Sequence, residues 1–233
     1  RAERGMRDVT FPVMLFAAGF GTRMGALTAT RPKPLIEVAG RALIDHALDL
    51  VDDYGPPRIV VNLHYLPEQI TAHLAGRDIA FSHETPEILE TGGGLRAALP
   101  LLGPGPVITM NTDAVWLGRN PLSLLAGAWR PEDMDALLLC IPPDRAVGHA
   151  GTGDFQIAMD GRAARGPGLI YSGVQIIKPE ILNGIAERSF SLNLPWDRML
   201  AAGRLSATAY PGQWCDVGRP EGIPEAEAML RNV

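Results

Sequence analysis

Leu15-Phe-Ala-Ala-Gly-Phe-Gly-Thr-Arg-Met24, followed nine residues later by Lys33-Pro34-Leu35, decides how this chain is read. An apolar strand, Phe11 to Ala17, runs into a glycine loop, and two cations follow. Gly19 and Gly21 have no side chain, so their backbone can pass close to a phosphate. The N–H groups of such a loop, and of a helix start after it, favour anions. Arg23 and Lys33 then neutralise phosphate charge that backbone dipoles offset only in part. A Walker A loop is absent. A dinucleotide fingerprint is missed because Met24 stands where its third glycine belongs and Gly25 follows. Short strand-to-helix loops also use glycine as a plain turn, so the residues beyond the loop carry the weight.

Apolar runs alternate with helical periodicity along the rest of the chain. Strands are expected at Arg58–Asn62, Ile79–Ser82, Val107–Met110, Ala136–Ile141 and Ile170–Ile177. Helices are expected at Ala42–Asp52, Pro67–Leu74, Gly94–Leu101, Leu122–Trp129, Pro195–Ala202 and Glu221–Leu230. This order predicts an α/β fold, a Rossmann-like, mostly parallel sheet with helices on both faces. Asp160-Gly161, between Phe155–Met159 and Arg162–Arg165, signals a small hairpin insertion, expected to line one side of a cleft. The 233 residues suit a single domain, with residues 1–10 expected as a flexible N-terminus.

Hydrophobic residues make up 46% of the chain and charged residues 20%, a globular composition. A net charge of −5 argues against a broad nucleic-acid footprint. No apolar run approaches the ~18 residues of a membrane span, and the polar start, Arg1 to Asp8, has no signal-peptide core. Cys140 and Cys215 lack metal-site spacing and read as reduced, buried thiols of a cytoplasmic protein. Lys33 and Lys178 are the only lysines. In a chain that otherwise uses arginine, a lysine within the phosphate loop points to a compact, mobile point charge. The histidines show no metal spacing, and monomer and dimer both stay open.

Triphosphate chemistry generally needs a divalent cation, and Mg2+ prefers one or two carboxylates with phosphate and water completing its shell. Asp113 follows the strand Val107-Ile-Thr-Met110 within Asn111-Thr-Asp113, where parallel sheets place ligands. Asp216 lies in Trp214-Cys-Asp-Val-Gly218. Aspartate after a strand also serves as a cap or turn residue. Glu90-Thr-Gly-Gly-Gly94 before a helix permits close approach of a flat base, or forms a flexible loop. Asn62, at a strand end, is a further candidate for the same pocket.

Phe16-Ala-Ala-Gly-Phe-Gly-Thr-Arg-Met24 with Leu27-Thr28 and Arg31-Pro-Lys-Pro-Leu35 resembles the signature of the sugar-phosphate nucleotidyltransferases, L-A-A-G-x-G-T-R-M-x-P-L-T-x-x-x-P-K-P-L. Ala26 stands in place of the usual proline and Phe16 in place of leucine. The phrase Leu89-Glu-Thr-Gly-Gly-Gly-Leu…Ala-Leu-Pro-Leu-Leu-Gly103 resembles the N-acetylmuramate-1-phosphate uridylyltransferase branch. The resemblance covers almost the whole chain from Val13. It implies transfer of a nucleotidyl group from an NTP to a sugar 1-phosphate, with release of pyrophosphate. It also implies catalytic roles for Arg23, Lys33 and Asp113, and Mg2+ held by Asp113 and Asp216. Nucleotide contacts are implied at Ala17, Ala18, Gly19, Gly21, Thr22, Asn62, Thr91, Gly92 and Gly93. Gly153 and Ser172, in Tyr171-Ser-Gly-Val174, are implied on the sugar side, and Arg23 or Arg165 is within the range of residues that can meet the sugar phosphate. UTP with N-acetylmuramate 1-phosphate fits this reading. Alternatives are a mannose-, heptose- or other hexose-1-phosphate with GTP or another NTP, or a non-catalytic nucleotide-sugar-binding relative.

Overall fold

The computed structural model describes residues 10–232; residues 1–9, most of the expected flexible N-terminus, lie outside the described residues. Seven strands build the main sheet: β1 (Val13–Phe16), β2 (Ile59–Leu63), β3 (Ala80–His83), β4 (Val107–Asn111), β5 (Ala136–Ile141), β6 (Ile170–Ile177) and β7 (Leu205–Ala209). Their order across the sheet is β7-β5-β6-β4-β1-β2-β3. Only β6 runs against its neighbours β4 and β5; the other pairs are parallel.

The helices are α1 (Leu43–Tyr54), α2 (Pro67–His73), α3 (Glu90–Leu102), α4 (Pro121–Ala128), α5 (Asn193–Ala201) and α6 (Gly222–Arg231). Side chains alternate across a strand. Val13 and Leu15 of β1 therefore enter one core, with Ala47, Leu48 and Val51 of α1, Ile70 of α2 and Leu122 of α4. Met14 enters the other, with Leu95 and Ala98 of α3 and Trp196 and Met199 of α5. The mostly parallel sheet covered on both faces is thus observed. Among the described residues, no helix is long and apolar enough to cross a membrane.

A smaller sheet was not expected from the sequence. Gln213–Asp216 pairs antiparallel with Ala114–Leu117 and parallel with Ala146–Val147. Val115, Cys215 and Val217 pack beneath Ala226 and Met229 of α6. β7 was also unforeseen. The hairpin forms as expected, with Phe155–Ile157 pairing with Ala163–Arg165. It docks on the outer edge of β7, where Ala207 N–H donates to Gly161 O at 3.1 Å. Arg165 pairs with Asp197 of α5 at 2.7 Å. The hairpin therefore shields a sheet edge rather than lining the main cavity, and Arg165 is engaged away from it.

Lys178 ends β6 at the opposite rim from the strand ends that carry the glycine loop. Its ammonium donates to Pro131 O at 2.6 Å and to Asp135 at 3.1 Å. Arg204 shares the same carboxylate at 2.9 Å, so this second lysine ties structure together.

Candidate active site

Phe16 at the end of β1 stands in register with Asn62 of β2 on one side and Asn111 of β4 on the other. Loops leaving these strands meet in one crevice, as parallel sheets dictate. Thr112 Oγ1 donates to Phe16 O at 2.7 Å, which fixes the turn carrying Asp113 beside the glycine loop. Gly21 has φ 64°, and a Cβ there would come within 2.9 Å of both Lys33 Cβ and Thr28 Cγ2. Only glycine allows this left-handed turn to close on Lys33. Thr28 Oγ1 donates to Gly21 O at 2.9 Å and holds the loop shut. Nothing lies within 4 Å of a Cβ built on Gly19, which leaves that part of the loop open.

An α-helix does not follow the loop. Thr22–Thr28 makes 3₁₀ turns broken at Gly25, with φ 57° and ψ −128°. No long helix dipole is therefore aimed at a phosphate, and the cations carry more of the charge. Lys33 Nζ donates to Asp113 Oδ2 at 2.7 Å, with side chains only 12% and 27% exposed.

The small sheet brings the second aspartate to the first. Asp216 is the ladder partner of Ala114, and Val217 N–H donates to Asp113 O at 2.8 Å. Burial holds the Asp216 carboxyl above its ordinary range, and the neighbouring Asp113 charge pushes the same way; Lys33 and Arg23 oppose the shift. Its oxygens rest against Gly218, where a Cβ would fall 3.0 Å from Oδ2. Two crowded carboxylates facing a phosphate loop suit a hard cation whose remaining ligands come from phosphate and water. Among the described residues, no group of three or more His, Cys, Asp or Glu side chains is arranged to hold a metal. A protein-only cage is therefore not built, and the donor set fits a cation shared with substrate.

A cavity of about 300 Å³ opens over this crevice. Of the residues nominated from sequence, it gathers Ala17, Ala18, Gly19, Gly21, Thr22, Arg23, Lys33, Asn62, Thr91 and Asp113. A second depression of about 500 Å³ shares Arg23 and Gly218 with the first and is lined by Asp216, His149 and Arg219. Arg23 and Gly218 thus sit where the two meet, with Asp216 on the side of the second.

Gly92, Gly93, Gly153 and Ser172 line neither space. Gly92 and Gly93 lie in the first turn of α3, which begins four residues before the expected start. A Cβ on Gly92 would fall 2.4 Å from the Phe190 ring, and one on Gly93 2.6 Å from Arg188 O. These glycines admit the 188–190 segment against the helix. Gly92→Ala is expected to destabilise the fold by about 1–3 kcal/mol through overpacking, seen as a lower urea midpoint at unchanged m value. Gly153 packs on Gly168, with a would-be Cβ 2.4 Å from its carbonyl. Ser172 is buried, and its Oγ accepts from Val174 N–H at 3.2 Å.

One buried carboxylate escaped sequence reasoning. Glu84 is 1% exposed. Its Oε1 accepts from Asn62 Nδ2 at 2.8 Å, and its Oε2 from Leu89 N–H at 2.7 Å. Asn62 Oδ1 in turn accepts from Ala17 N–H at 2.7 Å. This chain of bonds ties β1, β2 and the entry to α3 into one cavity wall. In sequence, Glu84 sits within the polar run His83-Glu-Thr-Pro86, which carries no sign of burial. Burial pushes the Cys140 and Cys215 thiols up to about 12, so neither is a nucleophile at neutral pH.

Comparison with known proteins agrees with this geometry. The chain is 42% identical to N-acetylmuramate alpha-1-phosphate uridylyltransferase of Caulobacter vibrioides, over 93% of this chain and 96% of that protein. It is 36% identical to the enzyme of the same name from Neisseria meningitidis, over 93% and 96%. HddC from Yersinia pseudotuberculosis, solved with GMP-PN, superposes with a TM-score of 0.78 at 22% identity, covering 95% of this chain and all of that one. A UDP-glucose pyrophosphorylase solved with UDP-glucose gives a TM-score of 0.78 at 15% identity over 96% and 99%, a likeness of fold. The MobA-like NTP transferase domain matches residues 13–175, and with the glycine loop, Lys33 and the paired aspartates all in place, this chain belongs to that nucleotidyltransferase family.

Proposed function

We propose that this chain transfers the uridylyl group of UTP to N-acetylmuramate 1-phosphate, forming UDP-N-acetylmuramate and pyrophosphate in the cytoplasm. The observation that carries the reading is the Lys33–Asp113 pair closed over the glycine loop, with Asp216 alongside it. The near full-length similarity to the two uridylyltransferases supports the choice of substrates.

An oxygen of the sugar phosphate attacks the α-phosphorus of UTP in line. The bond from that phosphorus to the bridging oxygen breaks, and pyrophosphate leaves with the electron pair. The attacking oxygen is already anionic, so no strong general base is needed. Catalysis comes from positioning and charge stabilisation. Lys33 serves the α-phosphate and Arg23 the leaving phosphates. Gly19, Gly21 and Thr22 present backbone N–H groups to the same charge. Ala17, Ala18, Asn62 and Thr91 form the nucleoside end. Asp113 and Asp216 would hold Mg2+, which when bound neutralises phosphate charge. Gly153 ends the loop beside the second depression, and Ser172 adjoins Gly173, whose backbone abuts Asn111; both shape the acceptor side from behind.

The test is pyrophosphate release with Mg2+ over a matrix of UTP, GTP, CTP and dTTP against muramic, glucosamine, glucose and mannose 1-phosphates. One strong signal with UTP and the muramic substrate is expected. GTP with mannose 1-phosphate as the best pair would replace the substrate assignment. Nucleotide binding with no release anywhere would point to a binding-only relative.

A further inference from the structure

Among the described residues, three non-glycine residues adopt positive φ: Ala39, Leu66 and Glu90, the last at φ 57°. Of these, only Glu90 lines the main cavity. A residue with a Cβ loses free energy in this conformation that glycine would not lose, and such strain collects at functional sites. The Glu90 side chain is exposed and makes no hydrogen bond or ion pair among the described residues. Bonds of Leu89, Gly92 and Gly93 to Phe190 hold the turn, while the Glu90 carboxylate itself has no partner among the described residues.

Sheet order locates this carboxylate. Asp113 follows β4, the glycine loop follows β1, and Glu90 follows β3, with β1 and β2 between β4 and β3. Three strand spacings of about 4.8 Å separate β4 from β3 by roughly 14 Å, and Glu90 opens α3 seven residues past the end of β3. A nucleotide with its phosphates on Arg23 and Lys33 extends its nucleoside toward Asn62, Glu84 and Glu90. The two Glu84 oxygens are already engaged by Asn62 and Leu89, which leaves Glu90 as the unpaired carboxylate at that end among the described residues. An ionised carboxylate only accepts hydrogen bonds. Uracil offers one N–H flanked by two carbonyl oxygens, which repel a carboxylate. Ribose offers two adjacent O–H donors.

We infer that Glu90 accepts hydrogen bonds from the ribose hydroxyls of the bound nucleotide and thereby selects ribonucleotides over deoxyribonucleotides. The inference rests on the nucleotidyltransferase reading above. An acid in the first turn of a helix also favours its dipole. That role alone predicts lower stability when the charge is removed and no change in nucleotide preference.

Calorimetric titration of the full chain with UTP and dUTP in Mg2+, for wild type, Glu90→Gln and Glu90→Gly, separates these roles. Wild type is expected to bind UTP at least ~10-fold more tightly than dUTP, the scale of a charge-assisted hydrogen bond. Both variants should bring that ratio to within about twofold, while the Tm of Glu90→Gly holds or rises as backbone strain is relieved. A wild-type ratio near one overturns the inference, as do variants that keep the wild-type ratio. A shift in UTP-against-GTP preference at an unchanged UTP-to-dUTP ratio overturns it in favour of base contact. If wild type binds no nucleoside triphosphate and releases no pyrophosphate, the nucleotidyltransferase reading falls, and this inference with it.

Discussion

Lys33→Ala is expected to lower kcat by at least ~10²-fold while leaving the fold intact, the loss typical of a preorganised charge contact removed from a reacting phosphate. The expectation follows from the placement of the ammonium. It lies 2.7 Å from Asp113, is largely shielded from water, and rests against the left-handed turn at Gly21. Circular dichroism should stay near wild type, and any loss of Tm should be small beside the loss of turnover, because Lys33 lies at the cavity wall outside the hydrophobic cores. Lys33→Arg should recover only part of the activity, remaining at least about tenfold below wild type. A planar fork cannot replace a compact point charge in a space closed by the Gly21 backbone. Pyrophosphate release at saturating UTP checks both variants. Near-normal turnover in Lys33→Ala would remove this residue from the mechanism.

Asp216→Asn is expected to lower kcat by about 10²- to 10³-fold and to weaken the response to Mg2+. It should also raise Tm at neutral pH in chelator. The sign follows from the raised carboxyl of the folded protein, set first by burial and then by Asp113. Between the unfolded pKa, near ~3.9, and the higher folded value, the native state holds more protons than the unfolded chain. Stability therefore falls as pH rises through that window and stays reduced above it. An amide has no charge to desolvate and no repulsion from Asp113. The Tm difference between variant and wild type should vanish in acid below the unfolded pKa and open toward neutral pH. A fall in Tm at pH 7, or an unchanged Mg2+ response, would count against the assigned role.

Much of the fold was legible because its decisive signals are local. β5 is an unbroken apolar run, β6 is rich in Ile and Val, and α1 carries buried residues at helical spacing. The glycine loop with Arg23 and Lys33 is contiguous, so the phosphate end of the cavity could be read from a single stretch. Pairing over long sequence distance could not. Ala114–Leu117 and Gln213–Asp216 are short strands about a hundred residues apart, and neither alternates strongly enough to announce a partner. β7, Leu-Ser-Ala-Thr-Ala, is too small and polar to stand out. Glu84 looked solvated because the partners that satisfy it when buried, Asn62 on the preceding strand and Leu89 N–H, are not its sequence neighbours. Gly92 and Gly93 suggest room for a flat base, and on the side a Cβ would occupy the structure places Phe190 and its neighbours. A glycine states that something comes close without saying what.

The ladder between Asp216 and Ala114 acts as a ruler for the chemistry. Side chains on a strand swap faces at every residue, so sliding Gln213–Asp216 by one position would turn Asp216 toward α6 and present Cys215 instead. Every catalytic residue would remain in the chain, yet the two aspartates would no longer face one substrate. The loops that join the elements between these strands carry no such register. Length changes in those loops should be far better tolerated than a single insertion within either short strand, so variation in this protein has room in its outer loops and almost none in four residues of backbone.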